Sequence, residues 1–178
     1  KLGFEFPSDT LEVLEREDIT LVVAIRDLWE RGRCEIIGSG YVQQIFPLIP
    51  AEVNARNLSL GSQGYQRLFG RQPRTAYLHE QTYASGLLRL YQEQGYQHLV
   101  ADWDNTAAGQ GDPARYRYRP QWVLGQDGTR MTVVWNSCIA FQKFQRYLSG
   151  EIDLEVYLDY LGSHYSEKEV RAFPLYGN

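Results

Sequence analysis

Apolar residues fall into two patterns along this chain: short runs bounded by glycine or proline, and longer stretches that repeat every three or four residues. These are the periods that separate strands from helices. Residues 3–6 are short and aromatic and stop at Pro7, which predicts a strand. Ser8, Asp9 and Thr10 offer capping oxygens to a helix through Leu11 and Leu14. Ile19, Val22, Val23 and Trp29 mark a second helix that stops near Gly32. Residues 34–37 predict the next strand, and Gly38, Ser39 and Gly40 a tight loop after it. From Pro50 to Phe69 the spacing predicts a long helix, with Leu58, Tyr65, Leu68 and Phe69 on one face and Gly70 as its stop. Residues 75–80 and 98–103 predict third and fourth strands, with a helix from Ser85 to Gly95 between them. The polar stretch 105–120 reads as a long loop. Gln126, Asp127 and Gly128 predict a hairpin turn between strands at 121–124 and 131–135. Two helices follow, the second with Leu154, Tyr157, Leu158 and Leu161 on one face.

Strands alternating with helices call for parallel pairing with both sheet faces covered. The fold class is therefore α/β, either a barrel or an open sheet, and 178 residues suit a single domain. In such folds ligands bind at the carboxyl ends of the strands. This nominates Glu5, the loop from Ser39 to Gln44, His79 and Glu80, the run Asp102, Trp103 and Asp104, and the run Trp135, Asn136 and Ser137.

Composition narrows the partners. With 43% hydrophobic and 22% charged residues the chain is an ordinary globular protein. A formal charge of −4 without a basic block argues against nucleic acid and anionic membrane surfaces as partners. Arg115, Arg117 and Arg119 alternate, and on an extended segment they would share one face as a solvated strand edge. Cys34 and Cys138 both sit in apolar runs, which argues against a disulfide framework and points to a reducing, cytoplasmic compartment. Residues 1–7 lack the apolar stretch of a signal peptide, and no window reaches the roughly 18 apolar residues of a membrane span. His79, His98 and His164 lie too far apart in sequence for a helical zinc pair, so neither metal nor cofactor is expected.

Glu80 closes an apolar run and precedes Gln81, Thr82 and Tyr83, which suits a carboxylate projecting into the mouth of the sheet. The same position also suits the first turn of a following helix. Asp102 and Asp104 share a face if the strand continues, or else end it and open the loop. Tyr41, Trp103 and Trp135 lie near strand ends, where an aromatic face can stack on a sugar ring or pack into the core. His79 can donate to a hydroxyl.

Two segments carry a family resemblance. Residues 32–41, from Gly32 through Glu35 and Gly38 to Tyr41, resemble the second signature of glycoside hydrolase family 57. Residues 77–83, from Tyr77 through His79 and Glu80 to Tyr83, resemble its third, in which the glutamate is the nucleophile. The intervening spacing, with Pro47, Pro50, Gly70 and Pro73, matches as well. The resemblance implies part of an incomplete (β/α)₇ barrel of the glycoside hydrolase and deacetylase kind. Residues 1–178 would then form a single partial catalytic domain, with the first strand upstream of Lys1 and the C-terminal part missing. It implies retaining hydrolysis or transglycosylation of an α-glucan-like oligosaccharide or polysaccharide, with Glu80 as nucleophile. Tyr41, Gln43, His79, Asp102, Trp103 and Trp135 would contact substrate. The family's acid is an aspartate on a later strand, which residues 172–178 would approach. It is expected beyond Asn178, so the chain alone should be inactive. Two positions depart from the pattern: Gln43 and Gln44 stand where many members carry His-Pro, and His79 stands where the family has proline. A deacetylase-like metalloenzyme and a non-catalytic carbohydrate-binding barrel are the rival readings.

Overall fold

The computed structural model describes residues 2–106, 114–169 and 171. The chain forms two compact units, one of residues 1–100 and 122–132 and one of residues 101–121 and 133–178.

The first unit is organised by parallel strands. β1 (Leu2–Phe6), β2 (Cys34–Gly38), β3 (Thr75–Tyr77) and β4 (His98–Asp102) pair in that order. Phe4 lies opposite Ile36, Gly38 opposite Ala76, and Ala76 opposite Leu99. β5 (Gln121–Leu124) and β6 (Arg130–Asn136) complete a six-stranded sheet of order β1-β2-β3-β4-β6-β5. Gly125 N donates to Thr129 O at 2.7 Å in the turn joining them, a connection short enough to require antiparallel strands. The sheet is thus mostly parallel and not closed.

The helices start and stop for local reasons. α1 (Ser8–Glu17) follows Pro7. α2 (Ile19–Glu30) begins at Asp18, whose carboxylate accepts from Thr20 N at 3.0 Å and Leu21 N at 3.4 Å. α3 (Ala51–Phe69) ends at Gly70, whose φ of 71° is open to glycine at little cost. α4 (Leu88–Glu93) leads back to the sheet through Tyr96. Leu11, Val22, Ile25 and Trp29 from α1 and α2 meet Cys34 and Ile36 of β2 and Tyr65, Leu68 and Phe69 of α3 in one core. Each aliphatic side chain buried there contributes about 1.5–3 kcal/mol. α3 approaches the loop after β2 very closely. A Cβ added at Gly61 would lie 2.6 Å from Gly40 Cα, and Ser8 Oγ donates to the Gly61 carbonyl at 3.2 Å.

The second unit holds α5 (Trp103–Thr106), a 3₁₀ turn over Ala114–Tyr118, α6 (Cys138–Leu148) and α7 (Leu154–Gly162). Ser137 caps α6 by accepting from Ala140 N at 3.3 Å. α6 and α7 join through Phe144, Tyr147 and Tyr157, with the Tyr157 ring centre 5.7 Å from that of Phe144 and 6.0 Å from that of Tyr147.

Three sequence expectations change. The third strand ends at Tyr77, because Leu78 N makes a last ladder bond to Val100 O at 3.1 Å and residues 79–81 then turn. The fourth ends at Asp102, because Trp103 already opens α5. The arginine-bearing segment is helical rather than extended, so alternation does not set its faces. Arg119 pairs with Glu169 at 3.0 Å, and Arg117 lies 3.5 Å from His164 Nδ1. Part of the predicted loop at 105–120 is ordered into α5 and this turn, while residues 107–113 lie outside the described residues. So do residues 172–178, the expected approach to the acid-bearing strand. Among the described residues no helix is long and apolar enough to cross a membrane.

Candidate functional site

In the first unit, the carboxyl ends of β1, β2 and β3 gather Glu5, Ser39 and His79, with Glu80 following at once. Tyr65 of α3 ties the first two strands together. Its hydroxyl accepts from Ser39 N at 3.0 Å and donates to the Phe6 carbonyl at 2.5 Å. Burial pushes the ionisation of this phenol up to about 12. Gly38 leaves space for Tyr96, because a Cβ there would lie 2.7 Å from the Tyr96 ring.

His79 is buried, and its Nε2 lies 2.9 Å from the Ser39 carbonyl. A carbonyl only accepts, so the ring donates and Nε2 carries the proton. Phe46 and Tyr77 flank the imidazole at ring-centre distances of 6.4 and 5.9 Å. Glu5 is mostly buried, and burial raises its pKa above the usual carboxylate range. The neighbouring Ser39 and His79 side chains oppose that rise. Among the described residues, Glu5 Oε1 and Ser39 Oγ have no hydrogen-bond partner of good geometry.

Glu80 is exposed, and its backbone has φ 51° and ψ 22°. It is the only non-glycine residue with positive φ among those described. That left-handed conformation costs a non-glycine residue roughly 1–2 kcal/mol, and such strain gathers at functional sites. The turn is closed over Glu80 by the His79 carbonyl, which accepts from Thr82 N at 3.2 Å and from Thr82 Oγ1 at 2.9 Å. No arginine pairs with the Glu80 carboxylate among the described residues.

The loop after β2 is shaped by residues the sequence did not nominate. Asn57 of α3 accepts from Tyr41 N and Val42 N, both at 2.9 Å, and donates to Val42 O at 2.9 Å and Gln44 Oε1 at 3.2 Å. Asn54, one turn earlier, donates to Phe46 O at 2.8 Å and Ile49 O at 3.1 Å. Two asparagines three residues apart in the middle of an otherwise apolar helix face were the available signal. On this loop Gln43 is exposed, while the Tyr41 hydroxyl donates to Glu12 at 3.0 Å.

The remaining nominees belong to the second unit. Asp102 is fully buried and accepts from Cys138 N at 3.0 Å. Trp103 and Trp135 are buried against each other, edge to face at 5.4 Å. The i, i+2 alternation expected of Asp102 and Asp104 is lost at the start of α5, yet both carboxylates and the Cys138 thiol offer ligand atoms within 4.8 Å of one another. Such a set could hold a divalent cation. Burial, then the neighbouring aspartates, pushes the Cys138 thiol up to about 11, and burial together with Asp102 raises Asp104. At neutral pH the thiol therefore keeps its proton unless a cation displaces it.

Comparison with known proteins gives this geometry a context. The sequence profile described as Glycosyl hydrolase family 57 matches residues 1–158. An alpha-amylase of Pyrococcus horikoshii is 26% identical over 102 residues, covering 57% of this chain and 16% of its own. The 4-alpha-glucanotransferase from Thermococcus litoralis superposes with a TM-score of 0.80 at 21% identity, over 99% of this chain and 26% of that one. An exo-type maltose-forming amylase from Pyrococcus sp. ST04 gives a TM-score of 0.77 at 11% identity, over 99% of this chain and 30% of that one. The chain thus spans less than a third of the length of each relative.

Proposed function

The chain belongs to glycosyl hydrolase family 57, and from that premise we propose that it supplies the nucleophile, Glu80, of a retaining enzyme that hydrolyses or transfers α-glucan chains. The observation that carries this reading is the exposed Glu80 carboxylate, held in a left-handed turn at the carboxyl end of a parallel strand. The amylase and glucanotransferase names of its relatives support an α-glucan as substrate.

In this scheme a Glu80 oxygen attacks the anomeric carbon, the glycosidic C–O bond breaks, and a second carboxyl group about 5–5.5 Å away protonates the leaving oxygen. Water, or the hydroxyl of another sugar, then gives its proton to the second carboxylate and attacks the anomeric carbon from the face opposite Glu80, breaking the bond to the Glu80 oxygen, so the configuration is retained. Gln43, exposed on the loop after β2, would meet substrate hydroxyls, and Tyr41 would line that loop. His79 is buried and would act from behind the surface; Asp102, Trp103 and Trp135, buried in the second unit, are the further residues proposed to serve the substrate. Residues 1–178 form part of one catalytic barrel in this reading, the activity is that of the full-length protein, and the compartment is the cytoplasm.

Glu80→Gln in the full-length protein, assayed on an activated maltooligosaccharide, should abolish turnover and leave the circular dichroism spectrum unchanged. Undiminished turnover would remove Glu80 from the mechanism.

A further inference from the structure

We infer that His79 is the positioning residue for Glu80, setting the turn that presents the carboxylate, an inference that rests on Glu80 being the attacking group. Residue 79 is tied at both its side chain and its backbone. Its ring donates to the Ser39 carbonyl at 2.9 Å, and its own carbonyl accepts both Thr82 N and Thr82 Oγ1. Glu80 therefore sits in a short turn whose two ends are fastened to each other and, through the imidazole, to the end of β2.

The anchor is itself anchored. Ser39 N donates to the Tyr65 hydroxyl, which donates to the Phe6 carbonyl, so a line of hydrogen bonds runs from the end of β1 through Ser39 to the turn. The imidazole cannot swing to another partner without opening its contacts with Phe46 and Tyr77, and Phe46 is in turn stacked on Tyr91 at 5.5 Å. The ring is buried, so it acts through the backbone rather than by touching substrate. A left-handed glutamate needs such support, because local preference alone would return it to an ordinary conformation.

The test compares His79→Phe, which keeps a ring but removes the donor, with His79→Gln, whose amide can reach the Ser39 carbonyl, both in the full-length protein. Loss of the strut should lower kcat of His79→Phe by roughly 30- to 100-fold with KM within about twofold, since a misplacement near 1 Å costs about 10²-fold. His79→Gln should recover kcat to within about fivefold of the parent, as a restored donor resets the geometry. Equal kcat in His79→Phe and the parent, equal losses in both variants, or a loss confined to KM would overturn the inference. Should His79→Phe fail to fold, His79→Asn takes its place, its amide being one methylene too short. Gln exceeding Asn by on the order of tenfold then supports the strut, and equality refutes it. Covalent trapping with a 5-fluoroglycosyl fluoride and peptide mapping separates the two ideas. A label on Glu80 together with indifferent His79 variants rejects the positioning role alone, whereas a label elsewhere rejects both.

Discussion

Replacing Asn57 with alanine should loosen the loop after β2 while leaving the sheet intact. Its side chain makes four hydrogen bonds to residues 41–44, at 2.9, 2.9, 2.9 and 3.2 Å. Tyr41 N keeps a second acceptor, the Asn57 carbonyl at 3.0 Å, so truncation strands chiefly Val42 N and Val42 O. At about 0.5–1.5 kcal/mol per net hydrogen bond, and with water able to reach the half-buried Val42, the loss is about 2–3 kcal/mol. Because exchange of a locally opening amide follows its opening free energy, residues 41–44 should exchange roughly 30- to 150-fold faster. The measurement is hydrogen exchange followed by mass spectrometry of the full-length protein. Asn57→Asp keeps the acceptors and loses the donors to Val42 O and Gln44, so it should give an intermediate acceleration. Unchanged exchange in 41–44, or acceleration centred on α3 instead, would refute the idea that this one side chain organises the loop.

Gly61→Ala should destabilise the protein by about 1–2 kcal/mol, because the new methyl meets the Gly40 backbone and overpacking outweighs a helix-propensity gain of about 1 kcal/mol. Gly162→Ala, with no atom near its added carbon, should be neutral or stabilising in the same thermal melts. Glu5→Gln tests the buried carboxyl. Since burial raises its folded pKa, the folded state holds that proton more tightly than the unfolded one. Stability is therefore full below the unfolded value near 4.5 and falls as pH rises through the raised value. The variant should match the parent in acid and melt higher at neutral pH, and parallel melting profiles would contradict the sign.

The strands and helices were legible because apolar runs, proline at position 7 and glycines at 32 and 70 punctuate the chain. The parallel pairing followed from the alternation of strands and helices, and the hairpin from Gln126, Asp127 and Gly128. Glu80 was legible as a strand-end carboxylate, yet its left-handed backbone was not. Nothing in a glutamate announces that conformation, which comes from His79, Ser39 and Thr82 acting together. The roles of Asn54 and Asn57 were hidden for a related reason, because a polar residue inside a helix shows its purpose only when the loop it holds is in place. The grouping of Cys138 with Asp102 and Asp104 likewise joins positions 36 residues apart, beyond the reach of local spacing.

The Tyr65 hydroxyl has both its hydrogen-bonding roles filled, and it surrenders its proton only near 12. Glu5, adjacent to the carbonyl that this phenol holds, has no such immunity to acid. Acidification therefore changes the charge at the end of β1 through Glu5 while the Tyr65 link between β1 and β2 stays in place, so local charge and strand spacing answer to different atoms.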